Sequence, residues 1–361
     1  MTCIGRLSLL LSVVLTASAL LSFTAAQTSS QPLTIALDLG SARLAFSSDG
    51  SVLRIIGTSP AQTGTTDTQH LRAITYNAAT GAVLHAIDLQ PGTMALSTTA
   101  DGRTAIVSSP IAGSNNLTAL SLVDTEPGIS QPIPTAWYDA TDDDPDAELS
   151  ADGRLISIYS ESGPADGPMT VSVYNWPAMT LLAKQTSEYT SAGGAFGGGI
   201  TPDGRAIEFV NNRAGIKLVD LNTGRDIASF GNDSVFSTNG NWVVVLPDIS
   251  FLGDDASPQV LIKDAATGKT LGAINVPVPD DIAYGQMTGA FCGFTNRFIV
   301  ASGHGDAAYA IPSGALLAAF PSDTWRDPST ANQDQVTVAC SPTASRGAIL
   351  SGTHLTLHVL K

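Results

Sequence analysis

The chain is predicted to be an all-β, seven-bladed β-propeller with four antiparallel strands per blade. Two turn motifs carry this. FSSDG (46–50), TTADG (98–102), LSADG (149–153), ITPDG (200–204) and FSTNG (236–240) recur, with Asp49, Asp101, Asp152 and Asp203 about 51 residues apart. A second motif alternates with the first: YNAATG (76–81), VDTEPG (123–128), VDLNTG (219–224) and KDAATG (263–268), with a weaker copy, YAIPSG, at 309–314. Self-similarity at this period is the mark of a propeller. Gly and Pro account for 54 of 361 residues, which suits short strands joined by tight turns.

Residues 1–26 precede the repeats. Arg6 is followed by an apolar run, Leu7 to Leu21, and then by small residues at Thr24-Ala25-Ala26. This is the pattern of a secretory signal peptide, and Cys3 lies before the apolar run, not after it. The expectation is a secreted or periplasmic protein, soluble and monomeric, whose single domain spans 27–361.

Each blade is read as strand a, DG turn, strand b, loop, strand c, TG turn, strand d. Asp or Asn accepts hydrogen bonds from nearby backbone amides and Gly supplies the positive φ, so these Asp residues are turn-formers. Blade 1 covers Arg43–Ser47, Val52–Gly57, Leu71–Tyr76 and Val83–Leu89. In the second and third blades strand a starts near 94 and 147, and YNWPAMT (174–180) replaces the TG turn of the third. Blade 4 covers Ala195–Thr201, Ala206–Val210, Ile216–Asp220 and Asp226–Phe230, and blade 5 begins at Val235. Blades 6 and 7 start near 288 and 335, with FTNR (294–297) and CSPTAS (340–345) in place of the DG turn. Blade 7 has three strands before the chain ends. Leu33–Leu39 (LTIALDL), similar to LHAIDL at 84–89, is the candidate fourth strand, which would close the ring.

The alternation of a Ser-Pro-Asp-Gly-like turn with an Asp-x-x-Thr-Gly turn resembles seven-bladed propellers of the YVTN and WD-repeat type. The recurring Gly-His and Trp-Asp dipeptides of true WD repeats are absent. The nearer likeness is to exported YVTN or quinoprotein-amine-dehydrogenase-like propellers. That group includes interaction scaffolds, lactonases and lyases, so the resemblance implies a fold and leaves the activity open.

The net charge of −15 argues against nucleic acid or an anionic membrane as partner. By repeat order, b–c loops and d–a crossovers share one face, the top, and it is acidic. The loop DATDDDPD (Asp139–Asp146) holds Asp142, Asp143, Asp144 and Asp146, while Asp254, Asp255, Asp280, Asp281 and Asp323 fall in other top segments. Two readings of this loop stand: calcium held by Asp142, Asp144 and Asp146, or a solvated acidic loop. Trp137, Tyr138, Tyr189, Tyr284 and Trp325 lie beside the crossovers, where they could stack on a ligand or wedge between blades. His304, with Asp306, is the candidate acid or base. His354 and His358 lie four apart on a strand, about 13 Å, too far to share a metal. The inner strands, MALSTT, AELS, GGAFGGGIT and VTVACS, read as small and apolar, and the glycine run 193–199 as close packing at the axis.

These observations support a binding scaffold that takes a protein, a peptide or a carbohydrate on its acidic top face. The competing reading is a lactonase- or lyase-like enzyme with a metal or His304 in the central funnel.

Cys292 lies three residues before Thr295, and Cys340 lies one before Ser341, its repeat equivalent. Offsets of equal parity place both side chains on the same side of their sheets. A bridge between blades 6 and 7 and two separate buried thiols both remain open.

Overall fold

The computed structural model describes residues 33–37, 39, 42–59, 70–113, 117–138, 146–161, 168–190, 195–211, 215–231, 233–247, 259–276, 287–301, 307–319, 336–343, 345–351 and 354–359. The propeller lies within the compact unit Pro32–Lys361. Among the described residues no helix is long and apolar enough to cross a membrane.

Seven four-stranded antiparallel sheets form a ring of blades. Six are built from consecutive strands. In the seventh, Leu33–Ala36 lies beside His354–Val359, with Leu33 opposite Leu357 and Ala36 opposite His354. Gly81, in a turn of blade 1, leaves room for Leu33; a Cβ there would come within 2.4 Å of Leu33 Cδ2.

Strand geometry explains the core. Successive side chains point to opposite sheet faces, and each blade sits between two neighbours, so both parities must be apolar. In Val52–Thr58, Leu53 and Ile55 pack with Ala348 and Leu350 of blade 7, whereas Ile56 packs with Ala105 and Val107 of blade 2. The same rule repeats around the ring. The described residues form seven apolar clusters, each bridging one pair of neighbouring blades.

The DG turns share one hydrogen-bond pattern. Ser47 Oγ donates to Asp49 Oδ1 (2.6 Å) and accepts from the Val52 amide (3.0 Å). Thr99 with Asp101, Ser150 with Asp152, Thr201 with Asp203 and Ser237 with Asn239 repeat it. At Asp49 the Ser47 hydroxyl and the Ser51 amide stabilise the carboxylate and hold its pKa down at about 2.

In blade 6 the hydroxyl's place is taken by Cys292, whose amide donates to Arg297 O (2.9 Å) as Ser341's does to Arg346 O (2.9 Å). The backbone therefore aligns Cys292, not Thr295, with Ser341, and the equal-parity expectation is corrected. Cys292 faces blade 7 and Cys340 faces blade 6, within one cluster. Their sulfurs are bonded, with Cα atoms 4.5 Å apart. Opposed faces of adjacent sheets meet, whereas equal faces would point the same way round the ring.

Deleting residues 27–40 is expected to expose the edge of His354–Val359 and lower the melting temperature by several degrees, with aggregation on heating. A truncated protein that melts like the parent would show that the pairing contributes nothing to closure.

Candidate functional site

Charged residues on the strands nearest the axis are few, and they meet. The innermost strands of blades 1, 3 and 4 are Ala42–Phe46, Ala147–Leu149 and Ala195–Ile200. Blade 1 supplies Arg43 and blade 3 supplies Glu148, with Asp146 just before its strand. Glu208, on Ala206–Asn211, is the second strand's contribution from blade 4.

Parity aims Glu148. Ala147 and Leu149 pack toward blade 2, so Glu148 points toward blade 4, where glycines receive it. A Cβ on Gly199 would lie 1.8 Å from Glu148 Oε2, and one on Gly197 would lie 3.3 Å from Asp146 Oδ2. The Glu148 carboxylate thus fills the side-chain place of Gly199. The Ile200 amide donates to Glu148 Oε2 at 3.3 Å. The glycine run is therefore a cradle for carboxylates, a role beyond the close packing read from the sequence.

Glu208 is the cross-strand partner of Gly199. Directly opposed residues share a sheet face with Cβ atoms about 5 Å apart, so the Glu148 carboxylate lies alongside Glu208. Both side chains retain some accessible surface although protein surrounds them closely. That enclosure dominates their titration. Burial, with a smaller push from Asp146, raises the Glu148 pKa to about 7, against the Ile200 amide and Arg43. Burial, then Glu148 and Asp203, raises Glu208 well above the carboxylate range.

Arg43 is the counter-charge. It donates through Nη2 to Leu96 O of blade 2. Burial works against its charge, while Glu148 and Asp146 support it. It also borders a cavity of about 350 Å³ lined by Ile56, Thr58, Leu71, Met94 and Thr337. Arg43 of blade 1 thus feels the charge of Asp146 and Glu148 of blade 3, and Glu148 that of Glu208 of blade 4.

Of the residues singled out from the sequence, Asp142, Asp143, Asp144, His304 and Trp325 lie outside the described residues. Asp146 faces Gly197 and the Glu148–Arg43 group. Trp137 stacks on Tyr174 (centroids 3.7 Å apart, planes at 8°) at the blade 2–blade 3 cluster. Tyr138 is buried there, its hydroxyl accepting from the Leu120 amide at 2.9 Å. Among the described residues no group of three His, Cys, Asp or Glu is spaced to hold a metal. The inner strands are less apolar than the sequence reading took them to be. Arg43 and Glu148 were visible as lone charges in ARLAF and AELS, and Glu208 as the only charge in AIEFVN.

A scan against protein-family models finds no match for the chain, and a search of curated proteins finds none either.

The Glu148 carboxyl makes stability depend on pH. Its folded pKa, about 7, exceeds the reference 4.5, so the folded state binds the proton more tightly. Its stabilising effect is complete below 4.5 and is lost as pH rises through about 7. Glu148→Gln removes that slope. The variant is expected to gain about 2 kcal/mol on the parent between pH 5 and pH 8, measured by urea unfolding at both pH values. Parallel pH profiles for parent and variant would contradict the assignment.

Proposed function

We propose that the protein is an exported binding propeller that takes a positively charged partner at its axis. The observation that carries this is the convergence of Asp146, Glu148 and Glu208, from blades 3 and 4, with Arg43 as the counter-charge found among the described residues. Three carboxyl groups facing one guanidinium favour a ligand that brings positive charge. The acidic segments of the sequence, Asp139–Asp146 above all, extend the same preference to the approach. A lysine-rich protein or peptide segment fits this field best, since summed surface charge speeds the encounter and salt weakens it. A carbohydrate, stacked on an aromatic side chain of the crossovers, is the next partner class. The signal-like residues 1–26 and the Cys292–Cys340 bond support an exported setting.

A second reading, a lactonase- or lyase-like enzyme, is favoured by one observation. A carboxyl held near pH 7 is suited to general acid–base work at physiological pH. In that reading Glu148 rather than His304 transfers the proton, and Arg43 stabilises negative charge on the substrate. Turnover of a lactone panel by the parent and not by Glu148→Gln would establish it.

The binding reading is tested with a fluorescent lysine-rich peptide at 50 and 300 mM salt. Affinity is expected to fall at least several-fold with salt. Replacing Asp142, Asp143 and Asp144 together by Asn is expected to weaken it further while melting stays unchanged. Affinity indifferent to both salt and these substitutions would reject a charge-led partner.

A further inference from the structure

We propose that Glu148 and Glu208 together hold a single primary ammonium group, taken directly between the two carboxyls beside Gly199. The inference rests on the binding reading above and names the chemical group the site recognises.

The repeats show that a carboxyl at the Glu208 position is not required by the fold. The cross-strand place that Glu208 occupies opposite Gly199 is filled by Ile106 opposite Ser97, Val244 opposite Val235, Ile299 opposite Ala290 and Ala348 opposite Ala339. Those four are fully buried or nearly so. In blade 1 the place holds Arg54, which is paired with Glu126 at 2.6 Å. Glu208 alone is an ionisable group there without an opposite charge beside it, and no hydrogen bond to its carboxyl is found among the described residues. Burying such a group is costly unless something neutralises it. The chain also spends three glycines, Gly197, Gly198 and Gly199, where a side chain would displace Glu148 or crowd its neighbours. Ser157, the cross-strand neighbour of Glu148, is also fully buried and its Oγ has no hydrogen-bond partner among the described residues, but it faces the apolar cluster of Ile200, Ile207 and Phe209 and not Glu208.

The chemistry selects among cations. No trio of ligating side chains at metal spacing exists among the described residues, and calcium wants six or more oxygens. A primary ammonium is compact and carries three donors, which two carboxylates and one further acceptor satisfy. A guanidinium is wider and planar, and Arg43 already occupies that side. The charged groups facing the pair are Asp146 and Arg43 around Glu148, and Asp203 beyond Glu208. Asp146 and Asp203 add negative charge, and Arg43 opposes it. Burial favours the protonated form of both carboxyls, so an ammonium taken between two carboxylates sends to solvent each proton that the pair still holds.

The test is isothermal titration calorimetry of the full mature chain with n-butylammonium chloride between pH 5.5 and 8.5, in two buffers of different ionisation enthalpy. Binding is expected to tighten as pH rises, by at least about tenfold per pH unit below pH 7, with one to two protons released. Tetramethylammonium, which has no N–H, is expected not to bind. Glu208→Gln and Glu148→Asp are expected to abolish the pH-dependent part. The second keeps the charge while withdrawing it from Gly199, so it stands in if the first fails to fold. Equal binding of tetramethylammonium, or unchanged binding by both variants, would overturn the proposal. If the lysine-rich peptide binds with the expected salt dependence and butylammonium does not, the pair only shares a proton and this inference fails alone. If the peptide also fails to bind, the binding reading falls with it.

Discussion

Every blade of this protein must bury both of its faces. A sheet wedged between two neighbours has no solvent side, so the period-two alternation that usually separates core from water here separates one neighbour from the other. That constraint makes Leu53 and Ile55 serve one interface and Ile56 the next. It also decides what a charged residue on the two strands nearest the axis can do. Among apolar neighbours it must turn to the axis or find a partner. Arg54, on a second strand, pairs across an interface with Glu126. Arg43 and Glu148, on inner strands, turn to the axis, and Glu208, on a second strand, has Glu148 beside it.

Seen this way, the scaffold and the site have one cause. The turns at Asp49, Asp101, Asp152 and Asp203 fix where each inner strand ends, through one hydroxyl–carboxylate–amide arrangement. Fixed ends fix the register, and register brings residue 148 of one blade onto residue 199 of the next, beside residue 208. A slip of one residue would send Glu148 into the apolar cluster with blade 2.

Most of the architecture was legible because turns are local. A Ser or Thr two residues before Asp-Gly makes its own hydrogen bonds whatever surrounds it, so period and strand order can be read from the chain. Two features were not legible, for a shared reason. The glycine run 193–199 reads as packing until the partner blade shows that Glu148 fills the place of a missing side chain. Cys292 was assigned the wrong parity because blade 6 lacks the Asp-Gly pair that anchors the count, and only the Cys292–Arg297 backbone bond restores it. Contacts between blades join residues about 50 apart through register, and no short motif records them. Trp137 is a milder instance: its place beside a crossover was readable, its stack on Tyr174 was not.

The central claim is that a buried carboxyl pair, formed across two blades, sits at the axis and awaits positive charge. It is tested most directly by carbon-detected NMR of the glutamate side chains in a labelled mature protein titrated from pH 3 to 9. The account predicts a Glu148 carboxyl titrating at about 7, with Glu208 also raised well above its ordinary value, and both falling when a cationic ligand is added. Two carboxyls titrating together near the ordinary 4.5, unmoved by Glu148→Gln or by ligand, would show that the pair is solvated and separate.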